Sequence, residues 1–130
     1  MSLNDPLSNV LSQINSYEKV GRKDILTKST SKVIRKVLEI MQDHKYLGSL
    51  EEIKDAKGDL LKINLIGNIN KTGVIKPRFS VTRETYEKFE KRFLPAKDFG
   101  ILIVSTSKGM MTHVEAKKKG IGGRLISYCY

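Results

Sequence analysis

The sequence predicts an α+β protein of two small lobes. The N-terminal lobe, residues 1–77, reads as helix, strand, helix and hairpin, and the C-terminal lobe, residues 78–130, reads as β-rich with short helices. Two patterns support this class: apolar residues recur at helical spacing near the start, and the aliphatic run Ile101–Val104 favours a buried strand near the end. A chain of 130 residues with 39% hydrophobic content can bury a modest core.

The N-terminal lobe is predicted to open with a helix. Asp5 is a capping residue type, Pro6 suits the first helical position, and Gly21 marks the exit. Between them an apolar stripe with i, i+3, i+4, i+7 spacing is formed by Leu7, Val10, Leu11 and Ile14. A short strand over Asp24–Lys28 is expected to follow this helix.

A second helix and a hairpin complete this lobe. Ser29–Ser31 supplies a cap for the helix. Its apolar stripe consists of Val33, Ile34, Val37, Leu38 and Met41. Tyr46–Lys54 and Leu60–Ile66 then predict two antiparallel strands, with a turn near Lys57–Asp59, where glycine permits positive φ.

The boundary between the lobes is predicted in the segment 67–79, which is rich in Gly, Asn, Thr and Pro and has Val74–Ile75 as a brief extended piece. Beyond it, Thr82 is expected to cap a helix that Pro95 ends. One face of this helix carries Tyr86, Phe89 and Phe93. Helical spacing favours packing of these rings in the core over stacking on nucleotide bases, because a buried ring cannot offer its face to a base.

The predicted strand is expected to stop at Val104, and the segment after it has the composition of an RNA-contact loop. Its residues are Ser105, Thr106, Ser107, Lys108 and Gly109. The hydroxyls donate and accept hydrogen bonds, the lysine adds a positive charge, and the glycine lets the backbone turn or approach a partner closely. Such a loop suits sugars and phosphates, whereas the alternative is a turn whose hydroxyls bond to its own backbone.

The chain after this loop predicts a short helix and a last strand. Thr112–Glu115 is a capping-box pattern, and Gly120 marks the helix end. Lys117–Lys119 lies in the last turn, where cations complement the helix dipole, so these lysines have a structural interpretation besides an RNA-binding one. Gly122–Arg124 leads into a strand over Leu125–Tyr130. We expect the hydroxyl loop and this glycine loop to lie near one another.

Charge indicates a polyanionic partner. The chain has 24 Lys and Arg against 14 Asp and Glu, a net charge of +10 and a pI near 9.7. The longest aliphatic run has four residues and no early segment resembles a signal peptide, so we expect a soluble, intracellular protein that does not bind membranes. Cys129 is the single cysteine, cannot form an internal disulfide, and is expected to be half-buried in the last strand.

Enzyme and metal sites find little support. Ser105 or Ser107 with His113 and Glu115 has the residue types of a hydrolytic triad, but the Gly-x-Ser-x-Gly elbow is missing. His113 and Glu115 are two positions apart on the predicted helix, so their side chains point about 200° around its axis from one another and do not form a triad. His44 and His113 have no second ligand at metal-binding spacing, so no metal or cofactor is expected and both are interpreted as surface or capping residues.

The ordered motifs resemble one family over essentially the whole chain. Ser105–Thr112, followed by Glu115–Ala116 and Gly122–Gly123, is similar to the C-terminal signature of small-subunit ribosomal protein eight. The further motifs that resemble this family are Asp5–Leu7, Ile14–Asn15, Ser31–Ile34 and Gly73–Phe79. The last of these, with Asn70–Lys71 before it, resembles the archaeal and eukaryotic branch.

This resemblance implies a structural protein of the cytoplasmic small ribosomal subunit and not an enzyme. Members bind directly to a central-domain stem of the small-subunit rRNA that contains an irregular internal loop, and they help assembly. The implied partners are this rRNA and neighbouring small-subunit ribosomal proteins, with no cofactor. The resemblance also implies a monomer off the ribosome and leaves binding to its own mRNA open.

Carried onto matching positions, the resemblance assigns the RNA contact to Ser105, Thr106, Ser107, Lys108, Gly109, Gly122 and Gly123. Lys28 and Ser31 are further candidates in the N-terminal lobe. Arg124 stands where the bacterial pattern has a glutamate, which indicates a phosphate contact. The alternatives are a general basic nucleic-acid-binding module and, more remotely, a small hydrolase. A duplex-DNA reader needs a helix with a base-reading outer face, and none of the predicted helices has an Arg/Asn/Gln-rich one.

Overall fold

The computed structural model describes residues 6–28, 32–55, 58–96 and 99–130, and these form four helices and eight strands. The chain divides into two compact units, Met1–Thr72 and Gly73–Tyr130. The α+β class with two antiparallel sheets is confirmed. The lobe boundary predicted after Pro77 stays a prediction.

The first unit contains two helices and a three-stranded antiparallel sheet with strand order β1-β3-β2. Its elements are α1 (Pro6–Lys19), β1 (Asp24–Lys28), α2 (Lys32–Asp43), β2 (Leu47–Asp55) and β3 (Gly58–Leu65). The predicted helix, strand, helix and hairpin are all confirmed. The predicted caps Asp5 and Ser29–Ser31, and Lys57 of the predicted turn, lie outside the described residues.

The first sheet buries one face only. Along β3, Leu61, Ile63 and Leu65 are buried, while Lys62 and Asn64 between them are not, as the two-residue period of a strand requires. Most of the apolar positions predicted for the helices join this core: Leu7, Val10, Leu11, Ile14, Ile34, Val37, Leu38 and Met41. Val33 is the exception, because it lies about 100° around the helix from buried Ile34, and it remains 39% exposed.

The second unit is built on a five-stranded sheet with order β4-β8-β6-β7 and with β5 paired to β8. Its elements are β4 (Thr72–Val74), β5 (Ser80–Val81), α3 (Tyr86–Phe93), β6 (Ile101–Thr106), β7 (Gly109–Thr112), α4 (His113–Lys119) and β8 (Gly123–Cys129). Cys129 is fully buried and not half-buried as predicted, because β8 lies inside the sheet between β4 and β6.

The aromatic stripe of α3 packs in the core of the second unit, as predicted. Tyr86 and Phe89 are buried against sheet residues such as Leu102 and Leu125. Phe93 is half-buried, and its ring stacks on that of Tyr128 with centroids 5.9 Å apart. The stripe therefore stabilises the fold through ring packing and apolar burial.

The start of α3 differs from the prediction. The N-cap is Thr85 and not Thr82, and Thr85 makes no side-chain capping bond. Instead, the Thr82 N–H donates to the Thr85 hydroxyl at 2.9 Å, and the Thr85 N–H donates to the Thr82 carbonyl at 3.0 Å. These bonds fold Thr82–Thr85 into a turn, since threonine side chains can satisfy the backbone outside a helix.

Candidate nucleic-acid interface

The predicted hydroxyl loop is the end of a tight β-hairpin. The prediction that the strand stops at Val104 is wrong, because β6 continues through Ser105 and Thr106. The chain turns at Ser107 and Lys108 and returns as β7, a strand that the sequence did not predict. The pairs nearest the turn are Ser105 with Met110 and Thr106 with Gly109.

The Thr106 hydroxyl closes this turn. It donates to the Gly109 carbonyl oxygen at 2.6 Å and accepts from the Lys108 N–H at 3.1 Å. Thr106 therefore follows the alternative interpretation of the loop, in which a hydroxyl bonds to its own backbone. Ser107 and Lys108 are exposed, and their side chains are presented to solvent.

Gly109 has a backbone conformation that favours glycine over other residues. Its φ is +107°, a region that side-chain-bearing residues rarely adopt, while a Cβ built at this position would meet no atom within 4 Å. The surface beside the turn is therefore open to a partner.

The glycine loop packs directly against neighbouring strands. A Cβ at Gly122 would collide with the Val81 carbonyl oxygen, and one at Gly123 would collide with that of Ser105. Arg124 pairs with Ser105 across β8 and β6. The expectation that the two predicted loops lie near one another is confirmed.

A row of paired residues crosses the sheet at this point. Ser80 of β5 pairs with Arg124, Arg124 with Ser105, and Ser105 with Met110 of β7. Directly paired residues point to the same face of a sheet, so Ser80, Arg124 and Ser105 form one polar row. Ser80 and Arg124 are exposed, and Ser105 is half-buried. Sequence reasoning missed Ser80, because a two-residue strand has no readable period and its partner lies far along the chain.

The three lysines of α4 have different surroundings. The helix begins as predicted, with the Thr112 hydroxyl accepting from the Glu115 N–H at 3.3 Å, and it ends at Gly120 in the left-handed conformation. Lys118 and Lys119 are exposed. Lys117 instead forms an ion pair with Glu90, a carboxylate on α3 that is only 6% exposed. Lys118 and Lys119 are thus the lysines of this helix that extend into solvent.

His113 is buried, so its interpretation as a surface or capping residue is wrong, whereas His44 is exposed as predicted. The Nδ1 atom accepts a hydrogen bond from the Leu102 N–H at 3.0 Å, which places the proton of the neutral ring on Nε2. Nε2 lies 3.3 Å from the Glu90 carboxylate. Both ring nitrogens are therefore engaged, and neither is left to activate a serine as a hydrolytic triad requires.

Tyr86 ties the glycine loop to the core. Its hydroxyl donates to the Ile121 carbonyl oxygen at 2.9 Å, one residue before Gly122. Burial raises the pKa of Tyr86 above its usual value, because desolvation disfavours the phenolate. The phenol is thus a neutral donor that holds the loop at neutral pH.

The N-terminal candidates are less well defined. The backbone of Lys28 ends β1 in register with Leu60, while its side chain and the whole of Ser31 lie outside the described residues. Within the described ranges, no three His, Cys, Asp or Glu side chains are grouped to hold a metal ion. No helix in that part of the chain is long and apolar enough to cross a membrane.

Most of the predicted contact residues thus lie close together, in the polar row and in the exposed turn of the second unit. The family model described as ribosomal protein S8 matches residues 5–130, which is nearly the whole chain. Proteins of this family are structural rRNA-binding components of the small ribosomal subunit and function in translation. The chain belongs to the ribosomal protein S8 family.

Proposed function

We propose that this protein binds directly to a central-domain stem of the small-subunit rRNA, at an irregular internal loop, and that this binding helps to order assembly of the subunit. The observation that carries the proposal is the pairing of Ser105 with Arg124, which joins the hydroxyl turn and the glycine loop into one surface. A separated pair of loops would not offer one continuous contact to RNA.

The chemistry of this surface suits RNA. Exposed hydroxyls such as those of Ser107 and Ser80 can bond to 2′-hydroxyls and phosphates, and an irregular loop exposes base edges that a regular A-form stem hides. Arg124 and Lys108, both exposed, supply phosphate contacts. Thr106 and the glycines Gly109, Gly122 and Gly123 shape the surface, and the proposed contact includes their backbones.

The remaining parts of the proposal concern partners and location. Lys28 and Ser31 form a second contact from the N-terminal unit. The protein is a monomer until it joins the ribosome in the cytoplasm, where neighbouring ribosomal proteins are its other partners. It acts by binding alone, and the engagement of both His113 nitrogens supports this non-enzymatic role. Binding to its own mRNA requires a stem that imitates the rRNA site.

Footprinting of the protein on naked small-subunit rRNA tests the proposal. We expect protection of one central-domain stem and its internal loop by the wild type. Titrations with salt should then compare three probes: the protected stem, the same stem with its internal loop fully paired, and duplex DNA. The protected stem should retain binding at salt concentrations that release the other two, because phosphate contacts weaken with salt and loop readout does not. Equal affinity for all three probes would indicate a general basic binder and contradict the proposal.

A further inference from the structure

The outer face of the first sheet carries exposed aliphatic side chains. Leu26 of β1 is 57% exposed and Ile53 of β2 is 39% exposed. Leu26 pairs with Lys62, and Ile53 pairs with Leu60, so all four point to the face opposite the buried Leu61 and Ile63. Leu26 and Ile53 also line a shallow groove of about 580 Å³.

The same groove is lined by cations. Among the described residues, Arg22, Lys23 and Lys62 line it together with the acidic residue Asp24. Burial of aliphatic surface against a partner is favourable because it removes that surface from water. Cations at the edge of such a surface favour carboxylates on the partner. The groove therefore matches an occupant that is both apolar and acidic.

The details of the groove favour protein over RNA as this occupant. Tyr17 is the aromatic residue that lines it, and the Arg22 guanidinium covers a face of that ring, 5.0 Å from the centroid. Glu51 pairs with Lys62 on the same face and repels carboxylates as well as phosphates, so the choice between protein and RNA rests on the aliphatic side chains. A nucleic-acid backbone also offers no aliphatic surface to Leu26 and Ile53, whereas a protein segment can offer both aliphatic and carboxylate side chains.

We propose that this outer sheet face binds a protein segment that carries carboxylates and aliphatic side chains, contributed by a neighbouring protein of the small subunit. The carboxylates pair with Arg22 and Lys62, and the aliphatic side chains cover Leu26 and Ile53. This inference rests on the proposed function, because it places the chain in the assembled subunit. The groove residues Arg22, Leu26, Ile53 and Lys62 are not among those assigned to the RNA contact, whereas Lys28, which is among them, pairs with Leu60 of the same face.

Photo-cross-linking in assembled small subunits tests this proposal. The photoreactive residue p-benzoylphenylalanine is placed at Leu26 or at Ile53, the labelled subunits are purified by sedimentation and irradiated, and the adducts are identified by mass spectrometry. We expect adducts to one acidic, aliphatic segment of a ribosomal protein from both positions. Val33 is the matched control, because it is 39% exposed like Ile53 but lies on α2, away from the outer sheet face, and it should not label that segment.

A charge reversal makes the test quantitative. With the photoreactive residue at Ile53, Lys62→Glu should lower the yield of the protein adduct at least tenfold, and Val33→Glu should leave it unchanged. Circular dichroism checks that each variant is folded. Adducts to rRNA, or no adduct from either position in subunits that contain the labelled protein, would overturn this inference and leave the proposed function standing. If the labelled protein does not sediment with small subunits at all, the proposed function fails, and this inference fails with it.

Discussion

The two glycine-bearing loops of the second unit lie side by side but need glycine for different reasons. Gly109 has a φ of +107° and open space around it, whereas Gly122 and Gly123 approach neighbouring carbonyl oxygens too closely for a Cβ. The first requirement concerns backbone conformation and leaves a surface free for a partner. The second concerns packing within the fold. A family signature that contains both loops therefore mixes residues proposed to contact RNA with residues that close the sheet.

The largest effect should come from filling the packed loop. Gly123→Ala forces the Ser105 carbonyl to move and disturbs the pairing of β6 with β8, so the free energy of unfolding should fall by about 3 kcal/mol. Gly109→Ala strains φ without a collision and should cost about 1 kcal/mol. Urea denaturation measures both values. If Gly123→Ala were no more destabilising than Gly109→Ala, the two loops would not differ as described.

Substitutions in the hydroxyl turn, residues 105–109, should affect RNA binding and stability to different extents. Ser107 is exposed, so Ser107→Ala should weaken rRNA binding by about 1–3 kcal/mol, because it leaves an RNA group unpaired, and should leave the unfolding free energy unchanged. Thr106→Ala removes two hydrogen bonds of the turn and, unlike Ser107→Ala, should also lower the unfolding free energy, by about 1 kcal/mol. Filter binding and urea denaturation check the pair. Wild-type affinity in Ser107→Ala would contradict the role given to this residue.

The lysines of α4 should also differ in whether they contribute to folding or to RNA binding. Lys117→Met removes the cation paired with buried Glu90 and should cost about 1 kcal/mol of stability, a modest value because the lysine is partly exposed. Replacing exposed Lys118 and Lys119 together by methionine should instead lower the slope of log affinity against log salt by about 1 for each phosphate that is no longer neutralised. Thermal melts and salt titrations distinguish the two results. A changed salt slope in Lys117→Met without loss of stability would contradict the assignment of Lys117 to folding and not to phosphate contact.

The last substitution tests the hydrogen bond between α3 and the glycine loop. Tyr86→Phe removes the bond to Ile121 and should lower stability at neutral pH by about 1 kcal/mol. The pKa of Tyr86 is raised by burial, so its contribution is complete below pH 10 and is lost as the pH rises through the folded-state pKa. Tyr86→Phe should therefore show a weaker alkaline loss of stability than the wild type. Identical alkaline profiles for both proteins would show that this phenol does not titrate with unfolding.

Elements with a local signal could be predicted from the sequence. The stripe from Leu7 to Ile14 defined α1, and the capping pattern at Thr112 with Gly120 defined α4. Strand β7 has no such signal, because Gly109 and two methionines do not resemble a strand until they pair with Ser105 and Val104. Strand pairing between distant segments decides such cases, and single-sequence patterns do not contain it.

The candidate site shows the same limit. Composition and the family resemblance both indicate Ser107 and Lys108 as contact residues, and both are exposed at the turn. Ser80 joins the polar row only through β8, and the ion pair of Lys117 depends on Glu90, which lies 27 residues earlier in the chain. The division of Lys117–Lys119 into one paired and two exposed lysines therefore required the three-dimensional contacts.

The hydrogen bond from Leu102 to His113 has a mechanical consequence. Thr112 is the last residue of β7 to pair with β6, and the imidazole of His113 accepts the next amide in place of a strand carbonyl. The chain can therefore pass from strand to helix without a flexible linker and without an unsatisfied amide. The turn at Ser107 and the charges of α4 therefore lie on one continuous strand-helix segment, so in the proposed RNA contact both would be oriented before docking and little conformational freedom would be lost.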